Sequence, residues 1–295
     1  GVFDERSQPS AHGRRYHLAC PPMRTAAADR PAAVAGRFYP GEPRALAREL
    51  GRCLAPVAAP VAARMLMAPH AGYVYSGELA GRTWSRVHVP ERVLLLCPNH
   101  TGLGARRSLW SGGAWDTPAG PVEVDEDLTA ALLGAGLQAD TAAHLREHAI
   151  EVHLPFLRAR NPAARIAAVC LGGLGLADCR ALGGSIAAAI RALEATGGRV
   201  LLAASSDMSH YVSADEAAAL DRLALDRLLA LDPAGLFTTV ERRRISMCGV
   251  LPTTVALFAA LGLGATEAEL VGYTHSGVVT GDADRVVGYA GAIVR

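Results

Sequence analysis

Three apolar runs in this chain each end on a polar turn that carries a histidine, and that repeated form limits the folds open to it. Residues 64–68 lead into Pro69-His70-Ala71-Gly72-Tyr73, residues 93–97 into Pro98-Asn99-His100, and residues 199–204 into Ser205-Ser206-Asp207-Met208-Ser209-His210. Short apolar runs bounded by turn signals read as buried strands. The stretches around them have helical features. Leu46, Leu50 and Leu54 recur behind Pro43; residues 77–84 follow Ser76 as a candidate N-cap; residues 126–136 follow Asp125. Residues 147–159 predict a helix restarted at Pro155, residues 177–195 another, residues 215–231 a third that Asp232-Pro233 ends, and residues 250–261 a last one. Residues 166–171 add a strand, and residues 270–275 and 286–294 read as closing strands. Strand and helix alternating in this way predict an α/β fold: a central, mostly parallel or mixed sheet flanked by helices on both faces. The histidines then fall at strand ends, where open α/β sheets place their chemistry.

Residues 1–32 are polar and rich in Pro and Ala, without periodicity, and are expected to form a disordered tail; a single α/β domain is expected over 33–295. The formal net charge of +1 argues against a nucleic-acid partner held by phosphate neutralisation. No run of about 18 apolar residues suggests a membrane span. Residues 1–30 have no apolar core of a secretory signal, and the six cysteines contain no C-x-x-C pair, so reduced thiols in a cytoplasmic protein are expected.

His70 and His100 are placed to share one metal ion from neighbouring strands, or else each fills a turn by bonding to backbone. Asp207 and His210, three apart, fit a carboxylate that orients a general base, or a helix cap beside a solvated imidazole. Glu147-His148-Ala149-Ile150-Glu151-Val152-His153 contains neither H-E-x-x-H nor H-x-x-E-H. On a regular helix His148 and Glu151 share a face but His153 lies about 140° from His148, so all three cannot bind one ion; His148 with Glu147 or Glu151 can line a pocket, or else form a solvated, charged helix start. Cys248, just before a helix, has the position of a lowered-pKa thiolate able to act as nucleophile, redox centre or ligand, although general burial preferences favour a buried inert thiol. His275 ends another strand and is a weaker candidate. No Walker loop, dinucleotide fingerprint or G-x-S-x-G is present, so a phosphate-bound cofactor is unsupported.

Taken in order, Ala68-Pro69-His70-Ala71-Gly72-Tyr73, Pro98-Asn99-His100, the Glu147–Phe156 block, Ser205–His210 and Cys248-Gly249 resemble the Memo family, protein B of the AmmeMemoRadiSam system, over roughly residues 33–295. The resemblance implies a fold like that of the class III extradiol dioxygenases with a metal pocket at the sheet's edge. It implies His70 and His100 as metal ligands, with Cys248 where those dioxygenases have a carboxylate. His210 would be the acid/base, Asp207 a pocket carboxylate, and His148 and Glu147 neighbours of the same pocket. The metal implied is Fe(II), with copper as the alternative and zinc behind both. The function implied is a dioxygenase-like oxidoreductase acting on O2 or a small organic substrate, with proteins of the AmmeMemoRadiSam system as partners. The alternative is a non-catalytic module that holds a peptide or other ligand in the same pocket.

Overall fold

A computed structural model describes residues 28–56 and 59–295. In chain order its elements are α1 (Pro43–Cys53), β1 (Met65–Ala68), α2 (Tyr73–Arg86), β2 (Arg92–Pro98), β3 (Arg107–Leu109), α3 (Glu126–Gly134) and β4 (Gln138–Ala139). A single 3-10 turn (Glu151–His153) precedes α4 (Leu154–Arg160), followed by β5 (Arg165–Leu171), α5 (Leu176–Glu194), β6 (Val200–Ser205) and β7 (His210–Val212). The chain closes with α6 (Ala214–Leu229), α7 (Pro233–Arg243), α8 (Val250–Gly262), β8 (Ala268–His275), α9 (Gly277–Thr280) and β9 (Val286–Val294).

The strands form one mixed nine-stranded sheet in the order β4-β3-β5-β2-β6-β1-β9-β7, with β8 pairing β9 off that path. Its centre, β5-β2-β6-β1, is parallel, while β9 joins β1, β7 and β8 in antiparallel sense. The central strands are apolar throughout because both faces are covered. In β2, Leu94 and Leu96 pack toward α5 and α8, whereas Val93, Leu95 and Cys97 pack with Leu46 of α1 and Ala80 and Trp84 of α2. Two core layers result, one on each face of the sheet.

Close helix packing depends on glycine at two crossings. A Cβ on Gly81 of α2 would collide with the backbone of Cys53, and one on Gly183 of α5 would press on Val255 and Phe258 of α8. Caps set the helix starts as local chemistry dictates: Glu42 accepts from the N–H groups of Arg44 and Ala45, and Asp125 from Leu128.

Four expectations need correction. The α2 helix starts at Tyr73 behind Gly72, and Ser76 lies inside it with its hydroxyl donating to the Ala71 carbonyl instead of capping. The α6 helix stops at Leu229, before a turn with Leu231 at φ 55°, and Asp232-Pro233 instead opens α7, because Asp232 accepts from Gly235 N–H and Pro233 suits the first turn. The 147–159 stretch is not one helix; turns over 141–150 and a 3-10 turn precede α4. Residues 1–27 of the expected tail lie outside the described residues, but Arg30, assigned to that tail, is fully buried. Its guanidinium is held by the 144–151 segment and stacks over Trp115 at 4.2 Å. The five cysteines among the described residues are free, and none of the described helices is long and apolar enough to cross a membrane.

Candidate metal centre

The register of the parallel strands brings the polar turns together. Ala68 pairs with Ser205 and Leu96 with Ala204, so the carboxyl ends of β1, β6 and β2 lie side by side and the turns after them share one edge. The 141–153 segment crosses above this edge, and the turn before α8 closes against β6. Gly249 is required there: a Cβ would strike Ser206 and the Ser205 carbonyl.

His70, His100 and His148 converge, with one nitrogen of each within 4.8 Å of the others. The His100 and His148 rings stack with centroids 4.9 Å apart and 18° between planes, and His70 stands edge-on to both, 5.2 and 5.4 Å away. Their other nitrogens are engaged behind. His70 Nδ1 lies 2.7 Å from Ser205 Oγ, and His100 Nδ1 lies 2.9 Å from Glu147 Oε1. Glu147 is 1 % exposed, and its carboxylate also accepts from the N–H groups of His100, His148 and Ala149. An acceptor-only carboxylate requires a proton on His100 Nδ1, so in the neutral ring Nε2 carries the lone pair.

Burial holds His70 well below the ordinary imidazole range, and the neighbouring His148 and His100 add to the effect. Burial also lowers His148, against the opposing charge of Glu147. At His100 burial again opposes protonation, but the hydrogen bond and charge of Glu147 outweigh it and the pKa is raised. In their neutral form, three imidazoles with nitrogens this close together are a donor set suited to iron, copper or zinc.

Asp207 is buried beside this cluster. Its Oδ1 accepts from His70 N–H at 2.8 Å, its Oδ2 lies 4.0 Å from His70 Nε2, and burial pushes its carboxyl up to about 6. Cys248 lies outside the three-imidazole group, yet its Sγ is 3.3 Å from His70 Nε2 and accepts from Asp207 N–H at 3.3 Å. The expected thiolate is not stabilised there. Removal from water and then the charge of Asp207 raise the Cys248 thiol well above its ordinary range, and the N–H groups of Asp207 and Gly249 only partly offset them. Helix-end polarity falls off within a turn and is weaker than burial at such a site.

His210 begins β7, where its N–H donates to Ser246 Oγ and its Nδ1 lies 2.9 Å from the Ser246 carbonyl. That carbonyl requires a proton on Nδ1, so Nε2 is the basic atom. The next residue, Tyr211, is 65 % exposed with φ of 61°, an unusual conformation for a bulky side chain and one that lies at the register shift between His210 and Val212 in the β7 pairing. His275 is not part of this group; it lines a separate 360 Å³ groove with Tyr75 and Val278.

Of the residues behind the cluster, the sequence pointed to Glu147 but not to Arg30, Trp84 or His153. Glu151 faces away from it and binds Arg30 at 2.7 Å, the N–H groups of Ala33 and Val34, and Tyr39 Oη at 2.8 Å. His153 is turned to the rear, between Trp84 and Ser205. The spacing of five residues between His148 and His153 is the signal in the sequence, because it turns the two rings to opposite sides of the segment.

A family model described as Memo-like protein matches residues 30–293. A MEMO1 family protein of Methanothermobacter thermautotrophicus is 39 % identical over 272 residues, covering 88 % of this chain and 97 % of that protein. One from Methanopyrus kandleri is 39 % identical over 283 residues, covering 90 % and 99 %, and one from Aquifex aeolicus is 38 % identical over 264 residues, covering 88 % and 97 %.

Proposed function

This chain belongs to the Memo-like protein family, and from that premise we propose that it is a metal-dependent redox protein acting on O2 or a small organic substrate. The convergence of His70, His100 and His148 carries the reading. His70 and His100 would hold the ion with Cys248, and His148 is a further donor supported by the geometry. Fe(II) is the leading occupant and copper the alternative: two imidazoles near a carboxylate suit non-haem iron, whereas a thiolate draws the preference toward copper. When bound, the ion would supply one-electron chemistry and open positions for O2 or substrate.

The surrounding side chains have separable tasks. Asp207, raised to about 6, can hold or release a proton close to neutral pH. His210, with its Nδ1 proton committed to Ser246, can take a proton at Nε2. Cys248 must give up its proton before it can ligate, so metal uptake through it releases a proton and weakens as pH falls.

Protein purified anaerobically is expected to carry stoichiometric iron or copper, and His70→Ala and His100→Ala to lose it; unchanged metal content in both variants would refute the assignment. Oxygen consumption with candidate catechols and other reductants then tests for redox turnover. A ligand-holding role for the pocket has its own support in the exposed ring of Tyr211, 5.8 Å from that of His210. It predicts binding that survives chelation and His210→Ala.

A further inference from the structure

We infer that Ser205 is a positioning residue that holds the proton of His70 on Nδ1 and so keeps its Nε2 lone pair facing the metal pocket, with His153 and Trp84 completing the arrangement from behind. The inference rests on the metal-centre reading given above. It follows from counting donors and acceptors around one hydroxyl. Ser205 Oγ lies 2.6 Å from the Ala149 carbonyl, 2.7 Å from His70 Nδ1 and 3.0 Å from His153 Nε2. A serine hydroxyl has one proton to donate and two lone pairs to accept with. A carbonyl can only accept, so the proton goes to Ala149, and both imidazole nitrogens must donate to Ser205.

The far side of His153 agrees independently. Trp84 Nε1, which can only donate, lies 3.2 Å from His153 Nδ1. His153 therefore accepts at Nδ1 and carries its proton on Nε2, the tautomer that donates to Ser205. Every member of the chain is at most 2 % exposed, so water cannot substitute for a missing partner. The hydroxyl is saturated in one way only, and His70 is left with a bare Nε2, 3.3 Å from Cys248 Sγ. Four elements meet to achieve this: Trp84 comes from α2, His153 from the 3-10 turn, Ser205 from the end of β6 and His70 from the turn after β1. His148 and His153 thus have different tasks, one in front of the site and one behind it.

The test is long-range proton–nitrogen correlation NMR on full-length, metal-free, nitrogen-15-labelled protein, with ring signals assigned by His70→Gln and His153→Gln. The expected pattern is His70 protonated on Nδ1 and His153 on Nε2. In Ser205→Ala the His70 proton is expected to move at least partly to Nε2, and the dissociation constant for Zn2+, used as a redox-inert probe, to rise about ten- to hundredfold. Ser205→Thr, which retains the hydroxyl, should restore both. His70 protonated on Nε2 in the parent protein would overturn the inference, as would a Ser205→Ala protein with the parent tautomer and affinity. If Ser205→Ala does not fold, the parent spectrum alone decides. If the parent protein fails to bind Zn2+, the metal reading fails while the tautomers still decide the role of Ser205.

Discussion

Burial alone would raise the Glu147 carboxyl, but the hydrogen bond and charge of His100, aided by backbone N–H groups, hold it below its usual range. The side chain therefore stays anionic in the interior, and one carboxylate both fixes the His100 tautomer and shapes the His148 turn. Glu147→Gln keeps the size and removes the charge; its amide can donate where only acceptance is wanted. The expected result is a Zn2+ dissociation constant about tenfold to a hundredfold higher, measured by competition with a chromophoric chelator. Parent-like affinity would limit Glu147 to shaping the turn.

The segment that carries Glu147 and His148 has no regular helix of its own over 141–150, so its shape must be imposed from outside. Arg30 does this with three donors: Nε to the His144 carbonyl at 2.8 Å, Nη2 to the Glu147 carbonyl at 2.6 Å, and Nη1 to Glu151. Both charged side chains of that pair are 0 % exposed. Removing one partner of such a pair leaves a buried charge uncompensated, at a cost of about 3–5 kcal/mol. Arg30→Ala should lower the unfolding free energy from urea titration by that amount and weaken metal binding in the fraction that folds; a loss under about 1 kcal/mol would contradict the arrangement. On the opposite flank, Gly249→Ala should push the Cys248 turn away from β6. The expected cost is about 1–3 kcal/mol in unfolding experiments, as for other overpacked sites, together with weaker metal binding.

Across the whole molecule, buried neutral histidines make stability depend on acid. Burial, and then the charge of Arg30, lower His144 from 6.5 to about 4, and burial lowers His153 to about 3. In the unfolded chain both protonate near 6.5, so their stabilisation is complete above that pH and is lost as pH falls toward the folded values. His144 alone accounts for about 2 kcal/mol between pH 7 and 5. Urea midpoints for His144→Gln should therefore fall less over that interval than those of the parent, and equal falls would show that His144 titrates as in the unfolded chain. The same molecular scale separates what was legible in the sequence from what was not. The central strands, the histidines at their ends and most helices were legible because apolar periodicity, caps and turn residues act within a few positions. The α7 helix escaped because Asp232-Pro233, which reads as a stop, is the cap and first turn of a new helix. The rear of the site escaped for another reason: Arg30 meets Glu151 across 121 positions and Trp84 meets His153 across 69, and no local pattern encodes such pairs. By itself the sequence determined an α/β sheet with His70, His100 and Asp207 at strand ends. Only the tertiary structure decided that His148 faces the cluster, that His153 supports it from behind, and that burial and Asp207 push the Cys248 thiol up, because each depends on burial and on partners supplied by distant segments.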